Sequence, residues 1–152
     1  MADIIFVCTG NTCRSPMAET LARELFLREK LPLSVASAGL YASSGQAASA
    51  GARQVMQAMG LSLENHRATL VSTETASAEL ILTMTEGHLE ELLFRYPTVR
   101  AMTLGALAKK NADVQDPFGG DFEEYQKCAT QIKNYLVAVI KILREARLCK
   151  TL

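Results

Sequence analysis

Short apolar runs alternate along the chain with segments in which apolar residues recur every three or four positions. Four of these runs, rich in β-branched and aliphatic residues, predict buried strands over residues 3–8, 33–39, 79–84 and 99–104. The periodic segments between and after them predict amphipathic helices. Because strands that alternate with helices form βαβ units, we expect residues 1–152 to form one doubly wound α/β domain. Its three α/β/α layers would place helices on both faces of a four-stranded parallel sheet.

Capping and helix-breaking residues mark the expected ends of the helices. In the first helix, Ser15 is the expected N-cap and Pro16 the first helical residue. The other expected helices cover residues 47–59 with Gly60 as a C-terminal stop, residues 86–95 up to the break at Pro97, and a long segment from Phe122 onward.

The first strand leads directly into the loop Cys8-Thr9-Gly10-Asn11-Thr12-Cys13-Arg14-Ser15. The helix that follows offers unpaired N–H groups and a partial positive charge, which bind anions. A short loop around that terminus turns further N–H groups inward, and Arg14 adds a planar fork of donors that matches two phosphoryl oxygens. This positive field favours the thiolate of Cys8. The segment therefore predicts a nucleophile held against a bound phosphoryl group.

Two further residues of the loop have expected roles of their own. Asn11 tolerates the positive φ that a tight loop requires. Ser15, besides capping the helix, is placed to donate its hydroxyl to the Cys8 thiolate and to stabilise it as a leaving group. The competing hypothesis is a buried structural cysteine before an ordinary turn. We favour the functional hypothesis because so many residue types coincide with the needs of an anion-binding loop.

Composition excludes several classes of protein. Sixteen basic residues balance sixteen acidic ones, so bulk charge gives no support for binding nucleic acid. Four cysteines are too few for a secreted disulfide scaffold, and no apolar run approaches the length of a membrane span. A cytoplasmic location is therefore expected. His66 and His88 lack the neighbouring ligands of a metal site, and the chemistry needs neither a metal nor a cofactor, because Arg14 and the amides neutralise the phosphoryl charge.

The loop and its continuation Pro16-Met17-Ala18-Glu19 resemble the signature of the low-molecular-weight protein tyrosine phosphatase family. The resemblance extends over essentially the whole chain, through Ser37-Ala38-Gly39, His66-Arg67, Met84-Thr85 and Asp116-Pro117. It implies a flavodoxin-like fold with a four-stranded parallel sheet, in agreement with the pattern above. It also implies metal-independent hydrolysis of phosphorylated protein substrates by a cysteine nucleophile, with inorganic phosphate as the product.

The resemblance implies roles for residues outside and inside the loop. Asp116 would protonate the leaving group and then activate the water that hydrolyses the cysteinyl-phosphate. Cys13 would trap oxidised Cys8 as a disulfide, although a small packing residue is an equally good interpretation. The His66-Arg67 segment would support the loop. The residues expected to bind the phosphoryl group or the substrate are Thr9, Gly10, Asn11, Thr12, Cys13, Arg14, Ser15 and Phe118.

Two departures from the usual tyrosine-specific pattern resemble the bacterial protein arginine phosphatases of this family. Thr12 stands where an aliphatic residue is common, and Asp116-Pro117 is followed by Phe118-Gly119-Gly120 rather than by a tyrosine pair. The Thr12 hydroxyl suits a polar guanidinium, Asp116 is a charge partner for it, and Phe118 is a candidate wall. We therefore predict a phosphoarginine phosphatase. The alternative is a tyrosine phosphatase in which Thr12 is a neutral variation.

Two other classes share parts of this pattern. An arsenate reductase would need further cysteines close to the nucleophile, whereas Cys128 and Cys149 fall in or after the long helix, as an expected packing residue and an expected bystander. A phosphate-binding module without activity would not need both Cys8 and Asp116. Their joint presence favours turnover.

Overall fold

The computed structural model describes residues 2–151, and side chains as far as residue 146. Its strands and helices follow in the order β1 (Ile4–Cys8), α1 (Arg14–Arg28), β2 (Val35–Gly39), α2 (Ala50–Ala58), α3 (Thr73–Ala76), β3 (Leu80–Thr83), α4 (Glu86–Arg95), β4 (Ala101–Thr103), α5 (Leu104–Leu107) and α6 (Phe122–Thr151). The strands form one parallel sheet in the order β2-β1-β3-β4. The predicted single α/β domain with a four-stranded parallel sheet is confirmed.

Alternate residues of β1 contribute to two separate cores, one on each face of the sheet. Ile4, Phe6 and Cys8 belong to a core shared with α1, α2 and α6. Ile5 and Val7 belong to a second core, to which α4 contributes. Because both faces of the strand are covered, its sequence is a continuous apolar run rather than an alternating one. The helices on the two faces give the three layers that the pattern predicted.

The position of β1 in the sheet creates the place for a site. β1 pairs with β2 on one side and with β3 on the other, with Cys8 opposite Gly39 and Val7 opposite Thr83. The chain moves outward from β1 to β2 and then crosses to the opposite side. In such sheets a crevice opens at the carboxyl end of the strand where the direction reverses. The segment that fills this end of β1 is the loop of residues 9–13.

The long helix α6 covers one face of the molecule through its apolar side. Ile132, Leu136 and Val139 are fully buried, at the spacing of three and four residues that predicted an amphipathic helix. α6 packs mainly on α1 and α2. Among the described residues, no helix combines the length and apolarity needed to cross a bilayer.

The capping prediction for the first helix was wrong. Cys13, not Ser15, is the N-cap of α1, and Ser15 lies inside the first turn. The Ser15 hydroxyl is unavailable for capping because it bonds with Cys8 and with Asn11. Pro16, expected as the first helical residue, is the third, because α1 begins at Arg14. It is still compatible with the helix because it lies within the first turn, where N–H groups have no intrahelical partner.

Other boundaries differ from the predicted ones by a few residues. Leu104, expected in the last strand, begins α5 because Thr103 Oγ1 accepts a hydrogen bond from the Ala106 N–H. The four-residue helices α3 and α5 were not predicted, since one turn is too short to show a periodicity. Gly60 follows α2 with a φ of 79°, which confirms it as the C-terminal stop.

Candidate active site

The loop of residues 9–13 is held in place by the side chain of Asn11. Asn11 is fully buried and has a φ of 56°, in the left-handed region that asparagine tolerates. Its Nδ2 donates to the hydroxyls of Ser15 and Ser37 at 2.8 and 2.9 Å. Its Oδ1 accepts from the Thr69 backbone N–H at 2.9 Å. The expected left-handed conformation is confirmed, and the buried amide has a partner for both of its polar atoms.

Two neighbours approach the backbone of the same loop. His66 Nε2 donates to the Asn11 carbonyl at 2.7 Å, which is the supporting role expected of the His66-Arg67 segment. Gly39, at the end of β2, lies directly against the loop. A Cβ at this position would be 2.6 Å from the Thr9 carbonyl oxygen and 2.8 Å from the Asn11 nitrogen. Only glycine fits here without a shift of the loop.

Cys8 ends β1 with its sulfur beside a hydroxyl. Cys8 is 3% exposed, and its Sγ lies 2.9 Å from Ser15 Oγ. Ser15 Oγ already accepts from Asn11 Nδ2, and its own proton has two acceptors in reach, Cys8 Sγ at 2.9 Å and the Ala38 carbonyl oxygen at 3.4 Å. The shorter contact favours donation to the sulfur. Such donation stabilises a thiolate, as do the N–H groups and the partial charge at the start of α1. The arrangement allows Cys8 to attack an electrophile that enters the loop.

Arg14 joins the loop to the segment that carries Asp116. Arg14 is 5% exposed, and its Nη1 donates to the Val114 carbonyl at 3.0 Å. Its Nη2 lies 3.7 Å from Asp116 Oδ2. The Val114 N–H in turn donates to the Met84 carbonyl at 2.9 Å, just after β3. A single buried guanidinium thus brings residues that are far apart in sequence to one side of the loop.

A cavity of about 190 Å³ opens between the loop and the Asp116 segment. Its lining consists of Cys8, Thr9, Gly10, Thr12, Cys13, Arg14, Asp116 and Phe118. Cys8 and Arg14 are buried, whereas half of the Asp116 side chain and 74% of Phe118 are exposed. The buried cation and the adjacent helix terminus suit this cavity to an anion.

Cys13 connects the loop to α2 and α6. Its thiol donates to Ser49 Oγ at 3.2 Å and lies 3.5 Å from the Tyr125 hydroxyl. Ser49 is the N-cap of α2, and the Tyr125 ring packs on Gly51, where a Cβ would overlap it. Burial, together with the contact to Cys13, raises the pKa of Tyr125 to about 12, so the phenol stays protonated.

His88 reaches the loop from α4. Its Nε2 lies 2.9 Å from Thr9 Oγ1, and its Nδ1 is buried without a hydrogen-bond partner in the described part of the chain. Burial, with a smaller effect of Arg14, lowers the pKa of His88 to about 4. The ring is therefore neutral at pH 7.

Known proteins are similar to this chain in both sequence and fold. Residues 3–148 match the family described as low molecular weight phosphotyrosine protein phosphatase. The chain belongs to this family. Its relatives are named as phosphatases, and the family works through a cysteine, so this chain is a cysteine-dependent phosphatase.

The relatives of this phosphatase carry two kinds of name. A protein-arginine-phosphatase of Bacillus subtilis is 36% identical over 148 residues, which cover 95% of this chain and 99% of that protein. A low molecular weight protein-tyrosine-phosphatase, PtpB of Staphylococcus epidermidis, is 38% identical over 143 residues, which cover 93% of this chain and 99% of that protein. A solved structure of the YwlE arginine phosphatase, a mutant with a phosphorylated active-site serine, has a TM-score of 0.91 at 35% identity. That match covers 95% of this chain and 97% of the other.

In this phosphatase, most of the predicted site residues meet around one cavity. Asp116 and Phe118 face the loop although they are distant from it in sequence. Asn11 and Ser15 do not line the cavity, because their side chains are buried behind it.

Several residues that hold the site were not predicted from the sequence. Val114 contacts Arg14 through its backbone carbonyl, so the identity of its side chain gives no indication of this contact. Tyr125 fits the apolar periodicity of α6, so nothing in the sequence sets it apart from the core positions of that helix. His88 was considered only as a metal ligand. The contacts of Ser37 and Ser49 connect segments whose proximity appears only in the folded chain.

The other two cysteines do not line the cavity in the part of the chain whose side chains are described. Cys128 is buried in the core, as predicted, and this burial raises its pKa to about 12. The side chain of Cys149 lies outside the described residues. Within the part of the chain whose side chains are described, no three His, Cys, Asp or Glu residues are grouped as a metal site.

The close approach of Gly39 gives a test of the loop geometry. Gly39→Ala should lower kcat/KM by about 100-fold, because the new Cβ displaces the Thr9 and Asn11 backbone by a fraction of an ångström or more. Gly87→Ala is the matched control, since its Cβ would meet only Thr85 Oγ1 at 3.7 Å. Steady-state kinetics with an aryl phosphate measure both variants. Wild-type activity in Gly39→Ala would contradict the geometry.

Proposed function

We propose that this phosphatase hydrolyses phosphoarginine in proteins through a cysteinyl-phosphate intermediate. The observation that carries the proposal is that Thr12 and Asp116 line the same cavity as Cys8 and Arg14. A hydroxyl and a carboxylate suit the polar, cationic guanidinium next to the phosphorus. Phosphotyrosine would use Asp116 only as the proton donor to its leaving oxygen and would have no use for the Thr12 hydroxyl.

In the proposed first step, Cys8 Sγ attacks the phosphorus. The S–P bond forms, the P–N bond to the substrate breaks, and the leaving nitrogen takes a proton from Asp116. Arg14 and the N–H groups at the start of α1 stabilise the charge on the phosphoryl oxygens. The half-exposed Asp116 lies at the mouth of the cavity, on the side where the arginine side chain would leave.

In the proposed second step, water hydrolyses the cysteinyl-phosphate. Asp116 accepts a proton from the water, whose oxygen forms the new P–O bond as the S–P bond breaks. Cys8 leaves as a thiolate and receives the hydrogen bond of the Ser15 hydroxyl, 2.9 Å away. Inorganic phosphate is the product.

The substrate preference is assigned to Thr12. Its Oγ1 makes only a long contact, 3.7 Å to Cys13 Sγ, among the described residues, so it has capacity for a further hydrogen bond. In the cavity it can accept from a guanidinium N–H or help to orient the attacking water. An aliphatic side chain would leave that N–H unpaired, at a cost of about 1–3 kcal/mol. Phe118 offers an exposed ring along which the arginine stem can lie.

The relatives support a protein phosphatase of either kind. The names of the B. subtilis and S. epidermidis relatives differ in substrate, at 36% and 38% identity to this chain. Overall similarity therefore supports both substrates equally, and the choice rests on Thr12 and Phe118. The phosphorylated active-site serine of the YwlE mutant supports a covalent phosphoryl-enzyme intermediate.

Two other functions receive less support. Arsenate reduction passes the oxidised state on to further cysteines outside the loop, whereas Cys128 is buried in a helix with its pKa raised to about 12. A non-catalytic phosphate-binding module would not need a carboxylate at the mouth of the cavity. A phosphotyrosine phosphatase remains the principal alternative.

We also propose that Cys13 protects Cys8 from irreversible oxidation. Peroxide would convert the Cys8 thiolate to a sulfenic acid, and attack by the Cys13 sulfur would form the disulfide and release water. Both cysteines line the same cavity and carry free thiols in this structure. This chemistry suits a reducing compartment such as the cytoplasm, which would regenerate the thiols.

The proposed roles of Cys8 and Asp116 can be tested separately. Cys8→Ser should abolish turnover and still bind inorganic phosphate, because the loop and Arg14 remain. Asp116→Asn should lower kcat by about 100- to 10,000-fold, because the leaving group loses its proton donor. Asp113→Asn is a matched control, since its Oδ1 accepts only the Glu86 N–H and an amide oxygen can do the same. Unchanged kcat in Asp116→Asn would refute the acid role.

The substrate preference can be tested with two peptides of one sequence, one with phosphoarginine and one with phosphotyrosine. The wild type should prefer phosphoarginine. Thr12→Ile should lower kcat/KM for phosphoarginine by about tenfold or more and spare phosphotyrosine, because one N–H loses its partner. Thr12→Ser, which keeps the hydroxyl, serves as the control. The assignment fails if the wild type prefers phosphotyrosine or if Thr12→Ile leaves the ratio unchanged.

The protective role of Cys13 can be tested by peroxide treatment followed by a thiol reductant. The wild type should recover its activity, and mass spectrometry should show a Cys8–Cys13 disulfide before reduction. Cys13→Ser should instead accumulate sulfinic or sulfonic Cys8 and recover little of its own initial activity. Cys128→Ala should recover like the wild type. Equal recovery of Cys13→Ser and wild type would refute the proposal.

A further inference from the structure

Thr9 and His88 form a hydrogen-bonded pair at the edge of the cavity. Thr9 follows the nucleophile in the loop and lines the cavity, and His88 lies near the start of α4. The two atoms, His88 Nε2 and Thr9 Oγ1, are 2.9 Å apart. The two reaction steps proposed above use neither side chain.

The second ring nitrogen decides the direction of this hydrogen bond. His88 Nδ1 is buried and has no partner among the described residues. A buried N–H without an acceptor is rarer in proteins than a buried acceptor without a donor, so the ring proton belongs on Nε2. Nε2–H then donates to Thr9 Oγ1.

The direction of the bond determines what Thr9 can offer. Since its oxygen accepts from His88, the hydroxyl proton is left for another acceptor. Within the described part of the chain, Thr9 Oγ1 bonds to His88 alone, and Thr9 is exposed where it lines the cavity. An acceptor that enters the cavity is the natural partner for this proton.

We infer that His88 is a positioning residue that orients the Thr9 hydroxyl as a donor to an oxygen of the bound phosphoryl group. His88 itself does not touch the substrate. The Thr9 hydroxyl would then be a further hydrogen-bond donor to the phosphoryl group, besides Arg14 and the backbone N–H groups of the loop. Every substrate of a phosphatase carries a phosphoryl group, so the inference does not depend on whether the remainder is arginine or tyrosine.

The environment of His88 keeps this arrangement constant over the physiological pH range. Protonation of Nδ1 would bury a charge and an unpaired N–H. Burial and the nearby Arg14 lower the pKa of His88 to about 4, against the smaller opposing effects of Asp113, Asp116 and Glu91. The loss of phosphate affinity in His88→Leu should therefore be the same from about pH 6 to pH 8.

The decisive experiment compares Thr9→Val, His88→Leu and the double variant in the full chain. KM for an aryl phosphate and Ki for inorganic phosphate should each rise by about tenfold, with kcat almost unchanged, because the lost contact binds substrate and transition state alike. In the double variant, KM and Ki should rise by the same factor as in each single variant, because the two substitutions interrupt the same chain of hydrogen bonds. Thr9→Ser keeps the hydroxyl, and His88→Gln keeps an N–H at the position of Nε2, so both should restore phosphate affinity.

Several outcomes would overturn the inference. Unchanged phosphate affinity, additive losses in the double variant, or a loss confined to kcat would each point to a merely structural role. A second measurement needs no variant of low stability: the chain has two histidines, so a long-range proton–nitrogen spectrum of the wild type, assigned with His88→Gln, shows which ring nitrogen is protonated. A proton on Nδ1 would refute the inference.

The substrate comparison separates this inference from the proposed function. The rise in KM should be equal for the phosphoarginine and the phosphotyrosine peptide. A wild type that prefers phosphotyrosine would refute the arginine proposal and leave the Thr9 inference intact. A rise in KM for only one of the peptides would refute the Thr9 inference.

Discussion

The side chain of Asn11, buried at the centre of the loop, joins segments of the chain that are far apart in sequence. It donates to Ser15 at the start of α1 and to Ser37 in β2, and it accepts from the backbone at Thr69. These bonds offset the cost of a left-handed backbone and of a buried amide. Because the Ser15 oxygen accepts from the same amide, its hydroxyl proton is left for Cys8 Sγ at 2.9 Å, with the Ala38 carbonyl as a more distant acceptor at 3.4 Å. The conformation of the loop and the electrostatics of the sulfur thus depend on one side chain.

Around this amide, the site has a buried part, formed by residues at the bottom of the cavity, and a part that is exposed to solvent. Cys8 and Arg14 are fixed by strands and by backbone carbonyls, whereas Asp116 and Phe118 are open to solvent. The division matches the two demands on a phosphatase. The phosphoryl group, common to all substrates, needs a rigid site with its donors already oriented, and the variable remainder of the substrate needs an accessible wall.

The loop also receives support from several layers of the fold. Cys13 bonds with residues of α2 and α6 on one face of the sheet, and His88 approaches Thr9 from α4 on the other. Gly39 permits β2 to lie in direct contact with the loop backbone. Such convergence on the loop explains why Asn11 and Cys13 are buried in a segment at the surface of the molecule. It also means that a substitution in any of these elements can change the geometry of the active site, even where the substituted residue does not contact a ligand.

Local sequence patterns were sufficient to predict the fold class, the order of the four strands and the four longer helices along the chain, and the loop from Cys8 to Arg14. These features are local: β-branched runs, helical spacing and a strand-to-helix turn are each read within a few neighbouring residues. The side-chain partners could not be predicted in this way. Ser15 was expected to cap its helix, but the tertiary structure directs its hydroxyl to Cys8 and gives the cap to Cys13. The contacts of Val114 with Arg14, and of His88 with Thr9, join residues that only the parallel sheet brings together, and long-range packing of this kind leaves no mark on local periodicity.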